Sequence, residues 1–165
     1  MSRSVSKGVG TSSQDMLDVI DEFQRALSNF VLSSGALAIK TAGSALAKTA
    51  SALKYLIDGQ MYSLAAGDMA ALAGTVTNAK FNVFVFSVDA SGNLYTQMGT
   101  EGATLGAVVW PTIADTRAVI GFVIINPTGT GNFVGGTTPL DDATVVPNAV
   151  YVNTPFPFLP SIVSL

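Results

Sequence analysis

Four glycines, Gly129, Gly131, Gly135 and Gly136, crowd the stretch INPTGTGNFVGGTTPLDD. Glycine turns cradle phosphate when a strand leads in and a helix N-terminus faces the anion. Here a strand leads in. The residues after Gly131, NFVGGTTPLDDATVVPNAVYV, are rich in β-branched residues, glycine and proline and have no helical period. The spacing misses GxGxxG, and no Lys-Ser/Thr pair follows. The stretch is therefore read as a bend in a β-protein, with glycines that supply positive φ. Ser51-Ala-Leu-Lys54 has the spacing of a serine nucleophile and its lysine base, but its companion motifs are absent. The pair is read as two solvent-facing strand residues, since a motif this short arises by chance. Asp141-Asp142 offers paired carboxylates or a calcium site. It lacks the Asp-x-Asn-x-Asp-Gly pattern, and acidic residues after Pro139 are ordinary turn chemistry.

The chain has no cysteine and no histidine. That excludes disulfides, thiol chemistry, Cys/His zinc sites and histidine-based triads. A carboxylate glycosidase needs two acids ~5–10 Å apart in a cleft. After Phe81 only Asp89, Glu101, Asp115 and the Asp141-Asp142 pair are available, all expected in turns. Trp110 and the aromatics Tyr55, Tyr62, Phe81, Phe84, Phe86 and Tyr95 suit a carbohydrate platform, though core and interface packing is their commoner use. No catalytic, cofactor-binding or metal-ligating residue is predicted, and the chain is read as non-enzymatic.

Composition points to partners instead. Charged residues make up 12% of the 165-residue chain, about half the usual ~25%, and mean hydropathy is +0.47. So little charge implies a membrane or much surface buried against protein. The longest apolar stretch, Ala118 to Ile125 with Gly121 inside it, falls well short of the ~20 residues of a spanning helix. The start, MSRSVSKGVGTSSQDM, has no apolar block of a secretory leader. Burial in an oligomer is the expectation that remains. Nucleic acid is not an expected partner. Beyond Phe81 Arg117 is the single basic residue, and Lys40, Lys48 and Lys54 are scattered among alanines.

These residues must be positioned by a small set of elements. Residues 1–12 are Ser/Gly-rich and expected to be flexible. A helical arm is predicted over 13–35, capped by Ser12 or Ser13, favoured by Asp15, Asp18, Asp21 and Glu22, and stopped at Gly35. Met16, Ile20, Phe23, Leu27 and Phe30 fall at spacings of 4, 3, 4 and 3, a heptad seam two repeats long. It packs either on its own domain or in an inter-chain bundle. Residues 36–54 carry an imperfect repeat in which alanine favours helix and the alternation Leu37, Ile39, Thr41 favours strand; strand is preferred. Asp58-Gly59 marks a hairpin. A second hairpin turns at Asp89 to Gly92. AVVWPTI is read as a strand ending at Pro111, RAVIGFVIIN as the central strand and NAVYVNT as the last one. The tail over 154–165 is extended by its prolines. Its Phe156, Phe158 and Leu159 are expected on a neighbouring surface. Many short strands suggest a mainly β domain, a β-sandwich or jelly roll, over 36–153.

The order of these elements resembles that of small tailed-bacteriophage virion proteins of the capsid decoration (cement) or head-fibre type. The resemblance rests on the Tyr-Leu-x-x-Gly hairpin at Tyr55 to Gly59 and the Tyr-Ser-x-Ala-Ala return arm at Tyr62 to Ala66. It continues through the Val-Asp-x-x-Gly turn at Val88 to Gly92, Pro111 to Ile113 before Ile120-Gly121, and the Phe133 to Leu140 element, which has an extra glycine. It implies a β-sandwich-like domain, a homotrimer, and a seat on the major capsid protein at the virion surface after synthesis in the host cytoplasm. It implies no catalytic residues and no cofactor. A tail, neck or fibre component that binds a host glycan is the alternative. The N-terminal helix and the Phe-Pro tail are less typical of such proteins.

Overall fold

The computed structural model describes Met16, Leu17, Ile20, Gln24, residues 27–158 and Pro160. Among the described residues the chain is mainly β, as expected. In order the strands are β1 (Phe30–Val31), β2 (Leu37–Ile39), β3 (Ala47–Thr49), β4 (Leu53–Ile57), β5 (Gln60–Leu64), β6 (Gly67–Asp68), β7 (Thr75–Val76), β8 (Asn82–Asp89), β9 (Leu94–Met98), β10 (Arg117–Ile125), β11 (Phe133–Val134) and β12 (Val150–Asn153). They pair antiparallel into four sheets, ordered β12-β10-β8-β9, β1-β4-β5, β2-β3-β6 and β11-β7.

The β12-β10-β8-β9 sheet is the centre of the molecule because its two inner strands are apolar on both faces. Every residue from Asn82 to Val88 is buried. Strand geometry sends successive side chains to opposite sides. Phe84, Phe86 and Val88 join the larger core, which includes Val31, Leu53, Tyr55 and Ile57 of the β1-β4-β5 sheet. Val83 and Val85 face a second core with Val108, Val119 and Phe122. The first face is thus covered by other strands. The second is closed by the irregular chain after β9 and by the tail, through Trp110, Ile113 and Phe158.

Strand β10 changes its facing midway. Ala118 and Ile120 point into the larger core and Val119 into the smaller one, yet after Gly121 it is Val123 and Ile125 that face the larger core and Phe122 the smaller. The cause is a β-bulge. Val119 pairs with Ser87 and Gly121 with Phe86, so Ile120 is the extra residue. The carbonyls freed there are satisfied by the end of β12. The Thr154 N–H donates to the Ile120 oxygen at 3.3 Å, and its hydroxyl donates to the Val119 oxygen at 3.1 Å. Gly121 sits at φ 157°. A β-carbon there would overlap the Val152 carbonyl oxygen and lie 2.6 Å from Leu37 Cδ1. Glycine is the residue that fits.

Most of the predicted elements are present. Asp58 and Gly59 have φ 51° and 74°, the left-handed pair of a two-residue hairpin turn between β4 and β5. Asp89 to Gly92 joins β8 to β9, and β10 is an inner strand. Residues 36–54 form β2, β3 and the start of β4. Three expectations need correction. The helix does not run to Gly35. Described residues up to Ser28 are helical, but Phe30–Val31 is a strand, paired with Leu56 and Tyr55. Leaving the helix at Asn29 lets Val31 become fully buried, which outweighs continuing a marginal helix. Strand pairing therefore begins at Phe30 and not at residue 36. AVVWPTI is not a strand. Leu105–Ala107 is a 3₁₀ turn, and Val109 makes only an isolated bridge to Thr100, because Val108, Trp110 and Ile113 are drawn down onto the second face of the central sheet and Pro111 has no N–H for a ladder. The segment GDMAALAG, which follows β5, opens with β6. Gly67–Asp68 pairs with β3, while Met69 and Leu72 are buried.

Among the described residues no helix is long and apolar enough to cross a membrane.

Candidate functional site

The glycine stretch holds chain to chain. Thr130 N–H donates to the Thr144 oxygen at 2.7 Å, and Gly135 N–H to the Gly74 oxygen at 2.8 Å. Between Gly131 and Gly135 the run forms β11, paired with β7. Among the described residues no α-helix follows it, so the helix N-terminus that a phosphate loop needs is not found there. A β-carbon on Gly129 would collide with the Thr144 carbonyl; close backbone approach explains this glycine, and Gly131 and Gly136 take positive φ (94° and 73°).

The other chemical candidates are scattered. Ser51 lies exposed in the turn before β4, its N–H donating to the Gly35 oxygen. Lys54 lies exposed on β4, its Nζ donating to Ser63 Oγ. The acids are held in turns. Asp89 accepts from the Ser91 and Asn93 N–H groups and from Tyr95 Oη and Asn93 Nδ2, each at 2.9 Å. The Asn93 bonds lead in holding its carboxyl below the usual range. Glu101 is lowered by the Thr77 N–H and hydroxyl, and Asp142 by Thr144. Asp141 accepts from Gly43 N–H. Among the described residues no group of three acids could hold a metal. A small recess beside Asn29, Asp115, Arg117 and Phe158, of about 10 Å³, has room for roughly one water. The aromatics form no shared platform. Tyr55 stacks on Tyr62 at 5.6 Å, Phe84 meets Phe133 edge-on at 5.9 Å, and Arg117 covers the Tyr95 ring at 3.5 Å.

The exposed apolar side chains include a group near each end of the chain, with Leu32, Met61, Val109, Val134 and Val150 between them. At the N-terminal end Met16, Leu17, Ile20 and Leu27 are exposed, each near half of its area. Phe30 is half-buried in β1. Phe23 lies outside the described residues. The exit of this segment is fixed by Asn29, itself buried. Its Oδ1 accepts from Asp58 N–H at 2.6 Å, and its Nδ2 donates to the Asp115 oxygen. Gly59 N–H donates to the Ser28 oxygen. The tip of the β4-β5 hairpin thus holds the end of the arm.

The C-terminal group divides. Phe158 stacks on Phe122 (5.8 Å) and meets Trp110 edge-on (5.5 Å), so it closes the second core of its own chain. Phe156 touches Phe158 edge-on but stays 49% exposed. Leu159 lies outside the described residues. Phe158→Ala is expected to lower the stability of the isolated chain by about 2 kcal/mol, and Phe156→Ser by less than about 0.5 kcal/mol. Urea unfolding of both variants checks this. Equal losses would make Phe156 core as well.

The Tyr151 hydroxyl is buried without a hydrogen-bond partner. Burial, with Asp141 adding, pushes its phenol up to about 12. The raised value means that its contribution is complete below the unfolded phenol value of about 10 and is lost as pH rises through about 12. Tyr151→Phe should leave stability at pH 7 unchanged or slightly raised, since no bond is lost, and should flatten the alkaline limb. Melting temperatures from pH 7 to beyond pH 10 test this. An unchanged alkaline limb would refute it.

Sequence reasoning missed Asn29, Gly121 and Trp110 as positioning residues. An isolated glycine inside a strand pattern is the recognised sign of a bulge, so Gly121 carried a readable signal. Asn29 carried none, because its partners lie far along the chain.

Comparison of the chain with known protein families, with curated proteins and with solved structures finds no match.

Proposed function

We propose that this chain is a structural virion protein that binds the outside of a phage capsid as a decoration (cement) protein, seated on the major capsid protein. The observation that carries the reading is exposed apolar surface on a chain with little charge. Met16, Leu17, Ile20, Leu27, Leu32, Met61, Val109 and Phe156 are each more than two-fifths exposed, while only 12% of residues are charged. Surface of this kind is normally covered by protein. The order of hairpins that resembles decoration proteins supplies the kind of partner. In this reading the two-faced central sheet and its neighbours make a sandwich-like domain and the chain is a homotrimer. Repetition on a symmetric shell gives avidity to weak individual contacts.

The test is the copy number of this chain relative to the major capsid protein in purified particles, by quantitative mass spectrometry. Near-stoichiometric amounts are expected. A handful of copies would move the chain to the tail, neck or fibre, with a host glycan as its ligand. Absence from particles would end the virion reading.

A further inference from the structure

The two faces of the central sheet are closed by different means. The first is covered by strands that are themselves paired into sheets. The second is covered by two irregular segments. One spans residues 99–113 and is stitched down by hydrogen bonds. Thr100 and Val109 exchange N–H to oxygen bonds at 2.8 and 3.1 Å, Phe81 and Gly102 do so at 2.9 Å, and Gln97 Nε2 donates to the Thr112 oxygen at 2.9 Å. The other segment is the tail, and its bonding stops at Thr154. That residue is buried and is tied to β10 by its bonds to the Ile120 and Val119 oxygens. Among the described residues, 155–158 have no hydrogen bond to the sheet, and Pro155 and Pro157 have no N–H to give one.

Ring packing is what holds residues 155–158 down. Pro155, Phe156 and Pro157 are exposed, and Phe158 is half-buried. The Phe158 ring stacks on Phe122 at 5.8 Å and meets Trp110 edge-on at 5.5 Å. Pro160, beyond it, is buried. A segment with few buried apolar contacts and no backbone hydrogen bonds opens at a small share of the cost of unfolding the core. The two prolines fix φ at two of the four positions, so the segment moves as a stiff piece and not residue by residue. The cover it gives is also imperfect. The Trp110 indole N–H is buried and has no hydrogen-bond partner. A buried donor without a partner works against the closed state, and water that reaches the indole on opening satisfies it.

We infer that residues 155–158 form a strap, hinged at Thr154, that lifts off Trp110 and Phe122 while the sheets stay folded. Closed, the strap seals the second core. Open, it leaves Phe158 in solvent beside Phe156 and uncovers Trp110 and Phe122. Thr154 stays in place on opening because its two bonds keep it on β10. Trp110 stays as well, since the neighbouring Val109 is bonded to Thr100. The inference goes beyond the virion reading and does not depend on it.

The test uses the full-length chain, in which Trp110 is the single tryptophan. Its fluorescence and its quenching by acrylamide report the strap, and far-ultraviolet circular dichroism reports the sheets. In urea the parent's fluorescence should show a step that precedes the circular-dichroism transition, with a denaturant slope under about half of that transition's because little surface is exposed. Phe158→Ala should remove the early step and raise the quenching of Trp110 without urea by about twofold or more. It should leave the circular-dichroism midpoint within about 0.3 M of the parent's. The stability loss expected above for this variant then falls on the early step. Coincident transitions in the parent would overturn the inference, because the strap would then belong to the cooperative core. So would a Phe158→Ala chain that loses its sheets, or one whose circular-dichroism midpoint falls together with the fluorescence one.

Discussion

Gly121→Ala is expected to destabilise the chain by about 3–5 kcal/mol, from backbone strain and overpacking together. That is a large share of the roughly 5–15 kcal/mol that holds a domain folded. The position combines two demands. Its φ of 157° lies where side chains are rarely found, and a β-carbon would meet the Val152 carbonyl oxygen and lie 3.2 Å from Asn153 Cα. Those atoms belong to the paired strand β12, so relief requires moving backbone. Moving β12 breaks the Gly121–Asn153 pairing and the Thr154 bonds to Val119 and Ile120. It also disturbs the facing of Phe122, on which Trp110 and Phe158 pack at 4.9 and 5.8 Å. Urea unfolding should give a lower midpoint, with tryptophan fluorescence reporting the Trp110 environment. A loss below about 1 kcal/mol would show that the bulge relaxes without glycine.

Phe84→Ala is the second large effect, at about 3–5 kcal/mol. Phe84 has no exposed area. It sits in the middle of β8, between the pairings with Val123 and Met98, and its ring meets Phe133 edge-on. Both neighbouring strands are fixed by their ladders, so the cavity left by the ring cannot close by moving backbone. A small apolar filler should recover part of the loss. Phe84→Leu is expected to cost less than half as much as Phe84→Ala in the same unfolding experiment. Equal losses for the two variants would mean that the site collapses around either side chain and that the core here is not rigid. The same measurement on Phe156→Ser sets the floor, because that ring is half exposed and belongs to the surface.

The two glycine-rich regions show what kind of inference a one-dimensional reading supports. The stretch from Gly129 to Gly136 was legible as a bend, since a phosphate loop requires a helix and no helical period follows. Its purpose was not legible. Gly129 is needed because the Thr144 carbonyl comes against it, and Thr144 is fifteen residues away along the chain. Trp110 makes the same point. Its neighbours Val108 and Val109 favour a strand, but the open second face of the central sheet draws Val108, Trp110 and Ile113 onto it. The cost of leaving Val83, Val85 and Phe122 in water outweighs local β preference.

By itself the sequence determined the class of the protein. Alternation around β8 and β10, the Asp58-Gly59 and Asp89-to-Gly92 turns, and the absence of cysteine and histidine are local facts, and they set a β-chain without thiol or imidazole chemistry. The low charge content likewise meant that apolar side chains must stand at the surface of the single chain. Tertiary structure decided which ones do. The heptad series does not reveal that its last member is a strand residue, because Phe30 turns into β1 only when Val31 finds the core and Asn29 finds Asp58 and Asp115. Nor does it reveal that Phe158 belongs to its own domain while Met61 stands in solvent, 63% exposed. Both are apolar residues near turn-forming neighbours in the sequence. Their fates differ because one lies over an uncovered face of the central sheet and the other on the outer side of a sheet edge, and position relative to a sheet exists only once the strands have paired.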